Sequence, residues 1–109
     1  MERIVIDNSE TFFKDILDKR SRFEENNLKS YGGDNYRLLG DYIEIFNSNF
    51  KTDIFLNSID LKVGIRVVNC EFQSFTLENC RAEIDSNYFG RNYGVEIENS
   101  IFNDKLWPK

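Results

Sequence analysis

The chain contains no histidine. Imidazole-based triads, imidazole general bases and the commonest metal ligand are removed together. Two cysteines, Cys70 and Cys80, are too few for a disulfide framework, and they do not form a Cys-x-x-Cys pair. No apolar run exceeds three residues, far short of a membrane-spanning helix. Asn-Gly and Asp-Gly never occur, so the strongest tight-hairpin signals are missing. Tyr31-Gly32-Gly33 lacks the lysine and the spacing of a phosphate loop. Met1–Asp7 lacks the apolar core and small-residue cleavage site of a secretion signal, which points to a cytoplasmic protein. These gaps together predict a non-catalytic chain with no cofactor and no bound metal.

The 109 residues carry 14 basic against 19 acidic side chains, and 40% are apolar, which suits one globular domain. The charge is uneven. Residues 1–40 hold seven basic and eight acidic groups; residues 41–109 hold seven basic and eleven acidic, net −4. Phosphate binding needs clustered Lys and Arg, so direct nucleic-acid binding is disfavoured and a basic protein partner is favoured. Plain solubility is the competing explanation of the same excess.

Asparagine is over-represented, with thirteen residues, and it recurs in one setting. Phe46-Asn47-Ser48, Leu56-Asn57-Ser58, Val68-Asn69-Cys70, Glu78-Asn79-Cys80 and Glu98-Asn99-Ser100 share Asn followed by a small residue. Alternate copies lie 22, 22 and 20 residues apart (47 to 69, 57 to 79, 79 to 99), an internal repeat. The residues before each Asn alternate apolar-polar-apolar, as in Ile43-Glu44-Ile45, Ile65-Arg66-Val67, Phe75-Thr76-Leu77, Ala82-Glu83-Ile84 and Val95-Glu96-Ile97. That is a strand with one buried and one wet face. Asn tolerates left-handed backbone and suits a corner between strands. A small Ser or Cys after it lets neighbouring coils stack, and the Ser/Cys interchange accounts for both cysteines. The recurrence resembles the Asn-ladder repeats of β-helix proteins generally and spans the repeat region. The fold expected is mainly β: a short right-handed β-helix-like repeat, with an antiparallel meander or sandwich as the alternative. Ile43, Ile45, Ile65, Val67, Phe75, Leu77, Ile84, Val95 and Ile97 should be buried, and Glu44, Arg66, Glu96 and Glu98 exposed.

Residues 1–40 read as a cap of strand, helix and loop, 41–104 as the repeat and 105–109 as a tail. Asn8 or Ser9 is a plausible N-cap for a helix from Glu10 to about Arg22, with Phe12, Phe13, Ile16, Leu17 and Phe23 as its apolar stripe. Stacked repeats have open, apolar ends. The helix can cover one and Trp107 the other.

Two candidate binding features remain. Glu44, Asp60, Glu78, Glu83, Glu96 and Glu98 occupy polar strand positions, and stacking can align some of them into an acidic strip. Tyr88-Phe89-Gly90-Arg91-Asn92-Tyr93-Gly94 interrupts the repeat with residues typical of binding hot spots, and Tyr88, Arg91 and Tyr93 are its natural anchors. Paired carboxylates also suit glycosidases, but three coils offer little of the cleft such chemistry needs. The expected role is a small acidic inhibitor of a basic, nucleic-acid-handling protein, a nuclease toxin or nucleic-acid-guided effector. Immunity proteins and phage-encoded inhibitors of guided defence (anti-CRISPR proteins) share that type. The expected partner contact is Glu44, Glu78, Glu96 and Glu98 with Tyr88, Arg91 and Tyr93, in a monomer or small homo-oligomer away from membranes. The alternative is a structural module that self-assembles through its coil ends.

Overall fold

A computed structural model describes residues 3–20, 24–29, 37–78, 80–82, 87–88 and 95–108. The chain runs β1 (Arg3–Asp7), α1 (Phe12–Lys19), α2 (Glu25–Lys29), β2 (Arg37–Phe46), β3 (Asn49–Asn57) and β4 (Ile59–Val68). It continues with β5 (Glu71–Glu78), β6 (Arg81–Ala82), β7 (Asn87–Tyr88), β8 (Val95–Glu98) and β9 (Ile101–Pro108). The protein is mainly β, with its helices near the N-terminus. One sheet has the order β1-β2-β4-β6-β7, with β8 also paired to β4; the other has the order β3-β5-β9. Every pairing among the described strands is parallel except β6 with β7, so an antiparallel meander does not describe these sheets. Residues 105–108, read from sequence as tail, continue β9 beside β5.

The period-2 pattern builds the core as columns of like side chains. Ile4, Ile43, Ile65 and Val95 lie in register across four strands, as do Ile6, Ile45, Val67 and Ile97. In the second sheet Phe50, Phe72 and Phe102 align, followed by Ile54 with Phe75 and Leu56 with Leu77. Ile43, Ile45, Ile65, Val67, Phe75, Leu77 and Val95 are buried as expected. Ile97 is not: it points inward, but it stands on the last strand of its column and stays 39% exposed. Ile84 lies outside the described residues.

The turns between sheets explain the asparagines. Asn8, Asn47, Asn69 and Asn99 have φ of 52°, 50°, 56° and 49°, the left-handed region that Asn enters more readily than most residues. Each of the first three donates its backbone N–H to a carbonyl of the next layer: Asn8 to Phe46 and Asn47 to Val68 at 3.0 Å, Asn69 to Glu98 at 3.1 Å. Their side chains form a ladder, Asn99 Nδ2 to Asn69 Oδ1 (2.5 Å), Asn69 Nδ2 to Asn47 Oδ1 (3.4 Å) and Asn47 Nδ2 to Asp7 Oδ1 (3.2 Å). The steps are therefore 22 and 30 residues: Asn99 stacks on Asn69, and Asn79, the copy 20 residues before it, lies outside the described residues. Asn8 is a corner residue rather than a helix cap. Ile6-Asp7-Asn8-Ser9 repeats the pattern of Ile97-Glu98-Asn99-Ser100, so the signal was present in the sequence.

The opposite corner obeys a shifted alignment. Asn57 pairs with Glu78, and the left-handed residue is Ser58 (φ 56°), whose N–H donates to the Glu78 carbonyl at 3.0 Å. Cys80, one residue before the Asp60–Arg81 pair, therefore corresponds to Ile59 and not to Ser58. Cys70 does correspond to Ser48 and Ser100. Ser100 Oγ accepts from the Cys70 N–H at 3.0 Å and donates to the Glu98 carbonyl at 3.0 Å; Ser48 Oγ accepts from the Ser9 N–H and donates to Phe46. Both thiols are buried and outside any disulfide, each directed at the carbonyl two residues back (Val68 or Glu78) and at one in the previous layer (Ile45 or Leu56).

After the Asn8 corner the chain forms helix rather than a strand beside β3. Helix α1 is shorter than expected and starts beyond Thr11, not at Asn8 or Ser9; Thr11 Oγ1 donates to Asp15 at 3.3 Å. Phe12 and Ile16 are buried, with Phe13 and Leu17 partly so. Phe12 meets Phe50 edge-on at 5.8 Å and Phe75 at 6.1 Å. Arg20 then ties the helix end to β2, donating from Nε to the Leu39 carbonyl at 2.9 Å. Helix α1 packs on β1 and α2 on β3, at the end of the stack opposite β8 and β9. Residues 21–23, with Phe23, and the side chain of Trp107 lie outside the described residues. No described helix is long and apolar enough to cross a membrane.

Candidate functional site

Alternation sends one face of the β1-β2-β4-β8 sheet outward, and its register decides which acids meet. One outward column is Val5, Glu44, Arg66 and Glu96; the next is Asp7, Phe46, Val68 and Glu98. The expected strip of acids is therefore broken by apolar and basic residues.

Glu44 is a correction. It sits on an outward position yet is only 7% exposed. Its strand is flanked on both sides, with Val5 and Arg66 in register beside it, and Arg3 Nη1 donates to its Oε1 at 3.0 Å. The expected exposure of Glu44 is therefore overturned: a carboxylate this covered needs a partner within the fold, and Arg3 supplies it. Burial, with the Glu96 and Glu44 carboxylates nearby, holds the Tyr42 phenol above the ordinary tyrosine range. Asp60 is also buried, at 5% exposure, so it leaves the strip too. Arg66 is half-buried rather than fully exposed.

Glu96 and Glu98 are the two acids that behave as expected. Their side chains are 72% and 70% exposed, and both face a single cation: Arg66 Nε lies 3.8 Å from Glu96 and its Nη2 3.7 Å from Glu98. Among the described residues, one guanidinium shared by two carboxylates leaves this patch one charge acidic. Glu78 is exposed but ends β5 in the other sheet, so the structure does not bring it to Glu96 and Glu98. Tyr88 is placed only by its backbone, in β7 opposite Arg81; its side chain, Arg91, Tyr93 and Glu83 lie outside the described residues.

Sequence reasoning missed a groove of about 850 Å³ that follows the Asn corner, with Asn69 and Asn99 along it and Ile97 and Ile101 at one end. Ile101 is 59% exposed, and Phe102 is half-buried, stacked on Phe72 at 4.9 Å with rings 7° from parallel. The Asn47 and Asn69 amides already donate and accept within the ladder, so the groove's polar groups are largely committed to the fold. No group of three or more metal-ligating side chains occurs among the described residues. Comparison with protein-family models, curated proteins and solved structures gave no match.

Proposed function

We propose that this chain is a short right-handed β-helix, capped at one end by helix, that acts as a non-catalytic inhibitor of a basic, nucleic-acid-handling protein. Toxin immunity and phage anti-defence are the settings that fit. The observation that carries this reading is the Glu96–Glu98 patch, two exposed carboxylates that among the described residues share the one cation Arg66. A rigid parallel stack holds them at fixed spacing, so little entropy is lost when a cationic surface docks. Charge raises the association rate and steric occlusion inhibits. Cytoplasmic location belongs to the same proposal.

The test is association kinetics with purified basic nucleases and guide-loaded effectors at low and high salt. A partner whose nuclease activity is blocked, and whose on-rate falls as salt rises, is expected. Substrate turnover by the chain, or salt-insensitive filaments, would overturn the proposal. Self-assembly is the second reading, and the exposure of Ile97 and Ile101 at the C-terminal end of the stack is what favours it. Concentration-dependent size in sedimentation separates the two.

A further inference from the structure

The two sheets end differently. At the N-terminal end α1 and α2 lie against β1 and β3. At the other end β6 and β8 share one side of β4: β6 lies beside Asp60 and Leu61, β8 beside Ile65–Val68. β7 pairs with β6, but among the described residues no strand pairs with the outer edge of β8. A strand edge carries backbone donors and acceptors that another chain can pair with.

Ile97 shows what such a strand would complete. In its column Ile6 is 1% exposed and Ile45 and Val67 are 0%, while Ile97 is 39%. Glu96 and Glu98 project from the other face of the same strand. A second copy of this chain is a poor occupant. The outward positions of β8 are both Glu, so β8 paired with itself sets acid beside acid, and like charges across a ladder destabilise it. We propose that the outer edge of β8 takes up one extended segment of the partner in which basic residues alternate with apolar ones, added as the next strand of the sheet. Its apolar side chains continue the Ile45–Val67–Ile97 column, and its Lys or Arg side chains stand beside Glu96 and Glu98. This inference rests on the reading of a basic protein partner and names the edge and the form of the segment it captures.

The probe is the peptide Lys-Val-Lys-Val-Lys-Val-Lys, compared with an isomer that places its four lysines before its three valines. The alternating peptide should bind, slow hydrogen exchange in residues 95–98 and shift their amide resonances. The block isomer should bind about tenfold more weakly. The Glu96→Lys/Glu98→Lys variant should lose about tenfold in affinity, and the exposed Glu78→Lys, on the other sheet, should not. Circular dichroism and unfolding midpoints check that each variant folds. Equal binding of both peptides, protection elsewhere, equal loss in Glu78→Lys, or a dimer that protects residues 95–98 would overturn the proposal. A chain that ignores the peptide yet inhibits a basic nuclease in a salt-sensitive way refutes the edge and leaves the inhibitor reading standing. A chain that binds the peptide along β8 but inhibits no basic protein does the reverse.

Discussion

Asn69 occupies the centre of the ladder, accepting from Asn99 and donating to Asn47, with φ at 56°. Left-handed backbone costs a Cβ-bearing residue without local polar contacts about 1–2 kcal/mol, and glycine nearly nothing. Asn69→Ala should therefore destabilise by about 1–3 kcal/mol, and Asn69→Gly by less, because glycine loses the ladder bonds but keeps the backbone angle. Denaturant unfolding of both variants checks the order. Cys70 is a different case. Burial pushes its thiol above the ordinary value of 9.0, outweighing backbone hydrogen bonds that act the other way. The folded state thus holds the thiol proton more tightly than the unfolded state does, so unfolding free energy should fall as pH rises past about 9. Cys70→Ser should lose little stability at neutral pH, because Ser48 and Ser100 fill the matching positions, and it should flatten that alkaline slope. The Tyr42 phenol, also held high, leaves a residual fall near pH 10.

At the scale of elements, the stack is held by columns that cross strands far apart in sequence. Ile65 is 1% exposed in the centre of a four-strand column, so Ile65→Ala should cost about 2–5 kcal/mol. Phe12 lies on the expected helix, which follows the Asn8 corner where later layers place a strand, with its ring against Phe50 and Phe75. Phe12→Ala should cost about 3–5 kcal/mol and expose that aromatic row, which a rise in binding of an apolar dye would report. Deleting residues 1–28 removes the cap altogether and should cause aggregation; a deletion that stays soluble and folds cooperatively would refute the capping role.

Across the whole molecule, the charges divide into those that hold the fold and those that face outward. Glu44→Lys sets a third cation beside Arg3 and Arg66 at a buried position, so its effect should be a lower unfolding midpoint. Glu96→Lys and Glu98→Lys should leave that midpoint nearly unchanged and slow association with a basic partner. Thermal unfolding and stopped-flow binding on the same variants distinguish the two groups. The sequence by itself determined the strand faces and, along the Asn47–Asn69–Asn99 corner, the left-handed residue and the small or thiol side chain after it, since alternation and left-handed tolerance are local properties. At the other corner it placed the turn one residue early, on Asn57 instead of Ser58. Asn8-Ser9 carried the same signal, but Asn and Ser also cap helices, and local chemistry could not choose between the two roles. Only the tertiary structure decided that Glu44 is covered, that Ile97 is not, and that Asn99 stacks on Asn69 across 30 residues. Exposure depends on how many neighbours a strand has, and a repeat pattern does not say which strand comes last or where an insertion lengthens a layer.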